Sequence, residues 1–313
     1  MRIFAAIFAA LAGLAFGSFL NVCLSRWTTG ESIVRPSSHC RSCARTLEWW
    51  ENIPLASYLF LRGRCRTCHA AIGIRHLIVE FAVGALWAVE AYRSVPELSE
   101  ILPAGLLLLH LSVEIGFMLF FWLLIALAVL DAEHLWLPDW LTWPGIILGL
   151  IASIAQIIFA FSFYKHNKLP PSVPPWLMSL GHLGISGDRG LLLAGPIVLL
   201  IAAPILSALP LLLIRWLYWL IRRRQGLGLG DVKLMAMLGA WLGLPNALLA
   251  LFIGVVLGGI AAVILLTANR SRQPGSLSAA QLPFGTFLCI GGIVSALWGS
   301  QIIHAYLNLA GFS

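Results

Sequence analysis

The chain has 313 residues, of which 60% are hydrophobic and only 11% charged, against about 25% charged in an ordinary soluble domain. That balance excludes a soluble globular enzyme and implies a polytopic membrane protein. In such a chain a net charge of +7 signals topology and attraction to anionic lipid head groups, and gives no reason to expect a nucleic-acid partner.

A helix needs about 20 apolar residues to cross a hydrocarbon core of roughly 30 Å. Eight such runs can be placed, at 3–23, 77–93, 101–130, 141–163, 191–220, 232–244, 246–267 and 284–308. The expected fold is therefore all-α, with about eight transmembrane helices. The sixth run is short and contains the helix breakers Gly239 and Gly243. Lys and Arg collect in cytoplasmic loops. With the amino terminus outside, fifteen of the twenty basic residues fall on the cytoplasmic side, and only Arg2, Arg93, Lys165, Lys168 and Arg189 stay outside. Leu20-Asn-Val-Cys23 hints at a lipoprotein cleavage site, but Asn21 and Val22 stand where small residues are wanted. The first run is read as a retained span.

Residues 24–76 form the one sizeable polar segment, with eight Arg, four Cys and three Trp. About fifty residues do not build a strong core unaided, so something should staple them. Cys40-Arg-Ser-Cys43 and Cys65-Arg-Thr-Cys68 are two Cys-x-x-Cys knuckles. Four thiolates at this spacing suit one tetrahedral Zn2+ in a closed structural site. Two disulfides are the alternative, disfavoured by a reducing cytoplasm. His39 and His69 adjoin the knuckles as substitute ligands, although four sulfurs already fill the shell. Cys23 and Cys289 lie in or beside apolar runs and read as buried small hydrophobes. Glu80, just inside the second run, is either a salt-bridged span terminus or a group lining a further site.

Two aspartates at span mouths carry the chemistry. Asp131 opens Asp131-Ala-Glu-His-Leu-Trp-Leu-Pro-Asp139, and Asp231 sits in Gly228-Leu-Gly230-Asp231-Val-Lys233. An ionisable group at the edge of hydrocarbon is costly and usually marks a site. Asp139 competes with Asp131 for the first role, but its place after Pro138 and before an apolar run also suits a helix start. Gly228 and Gly230 would let the Asp231 loop approach a substrate backbone. Lys233 would orient Asp231 or a substrate carbonyl, or would snorkel to water. The stretch 164–190 and the linker 268–283 read as irregular loops, rich in Pro, Gly or Ser. No internal repeat is evident.

These motifs together resemble the type IV prepilin leader peptidases, which also serve type II secretion. Gly17-Ser-Phe-Leu-Asn21-Val-Cys-Leu-Ser-Arg26 is similar to the family's opening motif. Glu48-Trp-Trp-Glu-Asn52-Ile-Pro54-Leu-Ala-Ser57-Tyr58 and Leu61-Arg62-Gly63-Arg64-Cys65 resemble its cysteine domain, and Leu137-Pro138-Asp139 and Gly228-x-Gly230-Asp231-x-Lys233-Leu234 resemble its aspartate motifs. The first knuckle lacks the family's usual proline, and Arg75-His76-Leu77 stands where Arg-Tyr-Pro is common.

The resemblance implies a first span at 1–23, a cytoplasmic zinc domain at 24–76 and a peptidase domain at 77–313. It implies that Asp131 and Asp231 form an aspartic dyad of the Gly-x-Gly-Asp type, facing the cytoplasm from a bacterial inner membrane. The substrate would be a prepilin or pseudopilin with a basic leader. N-methylation of the new amino terminus from S-adenosylmethionine is implied as well, with Glu80 as a candidate at the methyl-transfer site. No glycine-rich dinucleotide fingerprint accompanies it. Two other classes stay open on the residues alone: a proton- or cation-coupled transporter using the two aspartates, and a non-catalytic zinc-knuckle scaffold of a secretion assembly.

Overall fold

The computed structural model describes residues 1–94, 104–165, 191–224, 228–270 and 282–311. Their order is α1 (Arg2–Trp27), a short 3-10 turn (Trp49–Asn52), α2 (Ala56–Phe60), α3 (Arg75–Ser94), α4 (Ala104–His134), α5 (Asp139–Lys165), α6 (Leu191–Arg222), α7 (Leu229–Arg270) and α8 (Phe284–Leu309). Among the described residues the fold is all-helical, with two isolated β-bridges in the cysteine segment.

Among the described residues six helices are long and apolar enough to cross a membrane: Arg2–Trp27, His110–His134, Asp139–Ile158, Leu200–Arg222, Leu229–Thr267 and Phe284–Leu309. The sixth and seventh expected runs are the two arms of α7, whose 42 residues would reach about 63 Å if straight, roughly twice the hydrocarbon thickness. The helix breaks at Gly243, where φ 73 and ψ 169 are open to glycine. Pro245 follows and removes a backbone donor. The break falls between the runs read from sequence. α3 has 20 residues, the length of a span, but carries Glu80, Glu90 and Arg93 and is less apolar than those six. The expected loops 164–190 and 268–283 lie mostly outside the described residues. α5 and α7 absorb their first positions, to Lys165 and Arg270.

The chain divides into two compact units. In the first, residues 1–102 with 117–126, α1 and α3 pack backbone to backbone. The seam is Gly13-Leu-Ala-Phe-Gly17, a small-xxx-small pattern that lets helices approach without a hydrophobic driving force. A Cβ on Gly13 would stand 2.9 Å from the Gly84 Cα, and one on Gly17 would stand 2.8 Å from the Glu80 Cα. Indole donors cross the same unit: Trp87 Nε1 donates to the Met118 carbonyl at 2.8 Å and Trp122 Nε1 to the Phe16 carbonyl at 3.2 Å.

In the second unit, residues 103–116 with 127–313, the first arm of α7 is enclosed by protein. Leu234, Met235, Met237, Leu238, Ala240, Trp241 and Leu242 are all at most 4% exposed. Trp241 Nε1 donates to the Gly145 carbonyl at 2.8 Å. Ser153 donates to the Ala240 carbonyl at 2.7 Å and Ser207 to the Met235 carbonyl at 3.0 Å. Each such interhelical bond contributes about 0.6 kcal/mol in membrane proteins. Together they fix the helix that begins beside Asp231.

The α1–α3 seam has no room for a side chain. Gly17→Val should therefore lower the thermal midpoint of the purified protein by an overpacking cost of about 1–3 kcal/mol. Gly259→Ala, where a Cβ meets nothing within 4 Å, should not lower the midpoint, since alanine suits a helix interior better than glycine. Differential scanning fluorimetry in one detergent compares the two.

Candidate active site and metal centre

Asp131 lies in the last turns of α4 and Asp231 is the third residue of α7. Both are buried, 5% and 9% exposed, and they lie close enough for the charge of Asp131 to act on Asp231. Four helix ends converge on them. The first turn of α8 turns its N–H groups to Asp131: the Thr286 N–H donates to Asp131 Oδ2 at 2.6 Å. The Thr286 hydroxyl lies 3.1 Å from the same oxygen and 3.0 Å from the Ala128 carbonyl. A carboxylate at a helix N-terminus is stabilised by unpaired N–H groups and by the helix dipole. On the other side, the Gly228 backbone hydrogen-bonds Asp231.

Leu137 is the wedge that sets this approach. A Cβ on Gly230 would lie 2.8 Å from the Leu137 Cβ, and one on Gly285 would lie 2.9 Å from Leu137 Cδ1 and 3.0 Å from Asp131 Oδ2. Gly230 thus makes room for Leu137, where the sequence suggested room for a substrate backbone. Lys233 does not reach Asp231. Its Nζ pairs with Asp139 Oδ1 at 2.5 Å, where Asp139, the first residue of α5, is 63% exposed. Sequence reasoning missed Leu137's packing role, Gly285 and Thr286. Their signal is the Pro283-Phe284-Gly285-Thr286 start of the last apolar run.

The candidate metal centre belongs to the first unit. Among the described residues, Cys40, Cys43, Cys65 and Cys68 bring their sulfurs within 4.8 Å of one another. Cys40 Sγ and Cys68 Sγ are 3.7 Å apart, close to the edge of about 3.8 Å of a tetrahedron with 2.3 Å metal–sulfur bonds. The donor set therefore fits one tetrahedral metal ion. His39 and His69 are not in the cluster; the His39 ring bonds the Ser37 carbonyl.

The knuckles are a structural repeat, which the sequence reading did not find. The N–H of Cys40 donates to the Arg45 carbonyl and that of Cys65 to the Ala70 carbonyl. The N–H of Ala44 returns to Cys40 and that of His69 to Cys65. Ala44 and His69 occupy the left-handed region at φ 55 and 56. Backbone N–H groups of Cys43 and Ser42 lower the Cys40 thiol, and those of Cys68 and Thr67 lower Cys65 to about 6. These N–H donors favour the thiolate form of the first cysteine of each knuckle. Arg45 ties this site to the Glu48–Glu51 turn, donating to both Glu51 oxygens at 2.6 and 2.9 Å. That pair holds the Glu51 carboxyl below the ordinary carboxylate range.

Two family models match the chain: the bacterial peptidase A24 N-terminal domain over residues 11–94, and the type IV leader peptidase family over residues 157–263. A prepilin leader peptidase/N-methyltransferase of Pseudomonas aeruginosa is 32% identical, covering 96% of this chain and 93% of that protein. The chain belongs to the type IV leader peptidase family. The family members of the same name from Dichelobacter nodosus and Myxococcus xanthus are each 31% identical, covering 94% and 90% of this chain. No solved structure matches. The leader peptidase match contains Asp231 but begins after Asp131, so the pairing of the two rests on the geometry above.

Removing any one sulfur should empty the metal site. Serine in place of Cys40, Cys43, Cys65 or Cys68 should reduce bound metal from one ion per chain to near none, as read by plasma emission spectrometry. Acid should release the metal and alkali should not, because the ligands bind deprotonated. The Glu51 carboxyl has a depressed folded pKa. Its stabilisation is present above the ordinary value of about 4.3 and is lost as pH falls through the folded value. Glu51→Gln should therefore move the midpoint of acid metal release toward neutrality.

Proposed function

We propose that the chain is a membrane-embedded aspartic endopeptidase that removes the basic leader from type IV prepilins or type II secretion pseudopilins and methylates the new amino terminus. The observation that carries the reading is the buried pair Asp131 and Asp231 at the meeting of four helix ends. Like charges at short range do not both ionise cheaply, so the pair shares a proton and supplies a base and an acid together. A water held between them gives its proton to the ionised carboxylate as its oxygen attacks the scissile carbonyl. The protonated carboxyl then donates to the departing amide nitrogen. The Thr286 N–H fixes Asp131 through one oxygen, leaving the other to face the water.

The positive charge of residues 24–76 supports an orientation in which these residues and both aspartates face the cytoplasm of a bacterial inner membrane. There the substrate's basic leader stays in water while its apolar helix enters the bilayer. The ion of the four-cysteine site is read as structural zinc, closed by four sulfurs and without an open coordination position. When bound, S-adenosylmethionine would supply an electrophilic methyl group to the free amine of the new terminus, with the uncharged thioether S-adenosylhomocysteine as the leaving product.

Asp131→Asn and Asp231→Asn should each abolish cleavage of a prepilin peptide by purified protein, and the double variant should be no worse than either, since the two act as a unit. Asp139→Asn should keep most activity, because it loses only an exposed ion pair worth at most about 1 kcal/mol. Normal cleavage by the Asp131→Asn protein overturns the mechanism.

A further inference from the structure

A second polar site lies wholly within the first unit. A cavity of about 630 Å³ opens between the ends of α1 and α3 and the cysteine segment, and its lining includes Asn21, Glu80 and the arginines Arg26, Arg41, Arg45 and Arg66. Its volume is in the range that takes small-molecule ligands, roughly 300–1,000 Å³. Three features make it more than a gap.

Asn21 is 5% exposed. Its Nδ2 donates to the His76 carbonyl at 3.0 Å, but its Oδ1 is buried with no hydrogen-bond partner. A buried acceptor left unmade costs about 1–3 kcal/mol, so it calls for a donor from a ligand or a water.

Glu80 places a carboxylate beside it. The partners that hold it are neutral donors: the Leu55 N–H at 2.8 Å and the side chains of Ser18 and Asn21. None of them offsets its charge. Leu55 itself is strained, with φ 57 and ψ −48, and the Ala56 N–H closes a three-residue turn on the Pro54 carbonyl at 2.6 Å. That turn is the rare form of the γ-turn, and such strain persists only where surrounding structure enforces it, typically at ligand clamps. Here the strain aims a backbone donor at Glu80.

S-adenosylmethionine carries a sulfonium, an ammonium and a carboxylate, amine and ribose donors, and no phosphate. It needs counter-charge and acceptors, and it has no use for a glycine-rich phosphate cradle. In this cavity Glu80 and Asn21 Oδ1 offer the counter-charge and the acceptor, and the lining arginines suit the carboxylate. Building on the methyltransferase reading above, we propose that this cavity binds S-adenosylmethionine, with the Glu80 carboxylate as counter-charge to its sulfonium and Asn21 Oδ1 as acceptor for one of its N–H groups.

The test is equilibrium binding of radiolabelled S-adenosylmethionine to the full-length protein in nanodiscs, with S-adenosylhomocysteine as the uncharged-sulfur comparison. Glu80→Gln keeps an acceptor for the Leu55 N–H and removes only the charge. It should weaken S-adenosylmethionine by about tenfold, the loss of one charge-assisted contact, and S-adenosylhomocysteine by clearly less. Asn21→Ala should weaken both ligands alike. Metal content and thermal midpoint report that the variants are folded. If a double variant, Glu80→Gln with Asn21→Ala, is folded and binds S-adenosylmethionine as tightly as the parent, the site is wrong while the methyltransferase reading stands. If the unmodified protein neither binds the donor nor methylates a precleaved peptide, that reading falls and the proposal falls with it.

Discussion

Two carboxylates out of water and within reach of each other's charge are the constraint on which the second unit is organised. Taken alone, either would be expensive to bury, and the second more so in the field of the first. The compensation comes from backbone, not from cations. The start of α8 offers N–H groups to Asp131, and the segment leading into α7 offers one to Asp231. Lysine is kept away, since Lys233 is engaged by the exposed Asp139. An ammonium placed between the aspartates would hold both ionised and remove the shared proton on which the proposed chemistry rests. Backbone dipoles hold the groups without fixing that proton.

The first unit solves a different problem. A small polar segment rich in arginine has to be attached firmly to two helices. The four-cysteine cluster gathers its far side, and the Arg45–Glu51 pair connects that cluster to the turn at 48–52. On the near side Glu80, in α3, reaches back to the strained turn at Leu55. Glu80 can stand there because its own Cα lies against Gly17 of α1. One glycine in the first helix therefore governs where an acidic group in the third can sit.

Much of this was legible in the sequence, for identifiable reasons. Apolar runs of sufficient length gave the spans, because a bilayer imposes a length on every helix that crosses it. The divide between residues 232–244 and 246–267 was visible because Gly243, at the end of the first of them, is a residue that breaks helices. The four cysteines were visible because metal ligation requires that residue type at short spacing. What stayed hidden was contact between segments far apart in the chain. Thr286 lies 155 residues from Asp131, and although Pro283 marks a helix start there, nothing local says which acidic group that start meets. The Gly13–Gly17 seam hides among many glycines in an apolar run. The repeat of the knuckles is carried by backbone hydrogen bonds and two left-handed residues, Ala44 and His69, whose side chains share no chemistry.

The break at Gly243 leaves α7 with two arms in different surroundings. From Leu234 to Leu242 most side chains are enclosed on every side. Beyond the break, Leu248, Phe252, Val255, Val256, Ile260, Val263 and Ile264 are each at least 39% exposed and recur at the three- and four-residue steps of one helical face. Sequence drift should follow the same divide. The second arm can exchange its outward apolar residues freely, subject only to remaining greasy, so its variation over time should carry a 3.6-residue rhythm. The first arm has no such outward face, and its record should be nearly flat, with each position answering to protein neighbours instead of lipid.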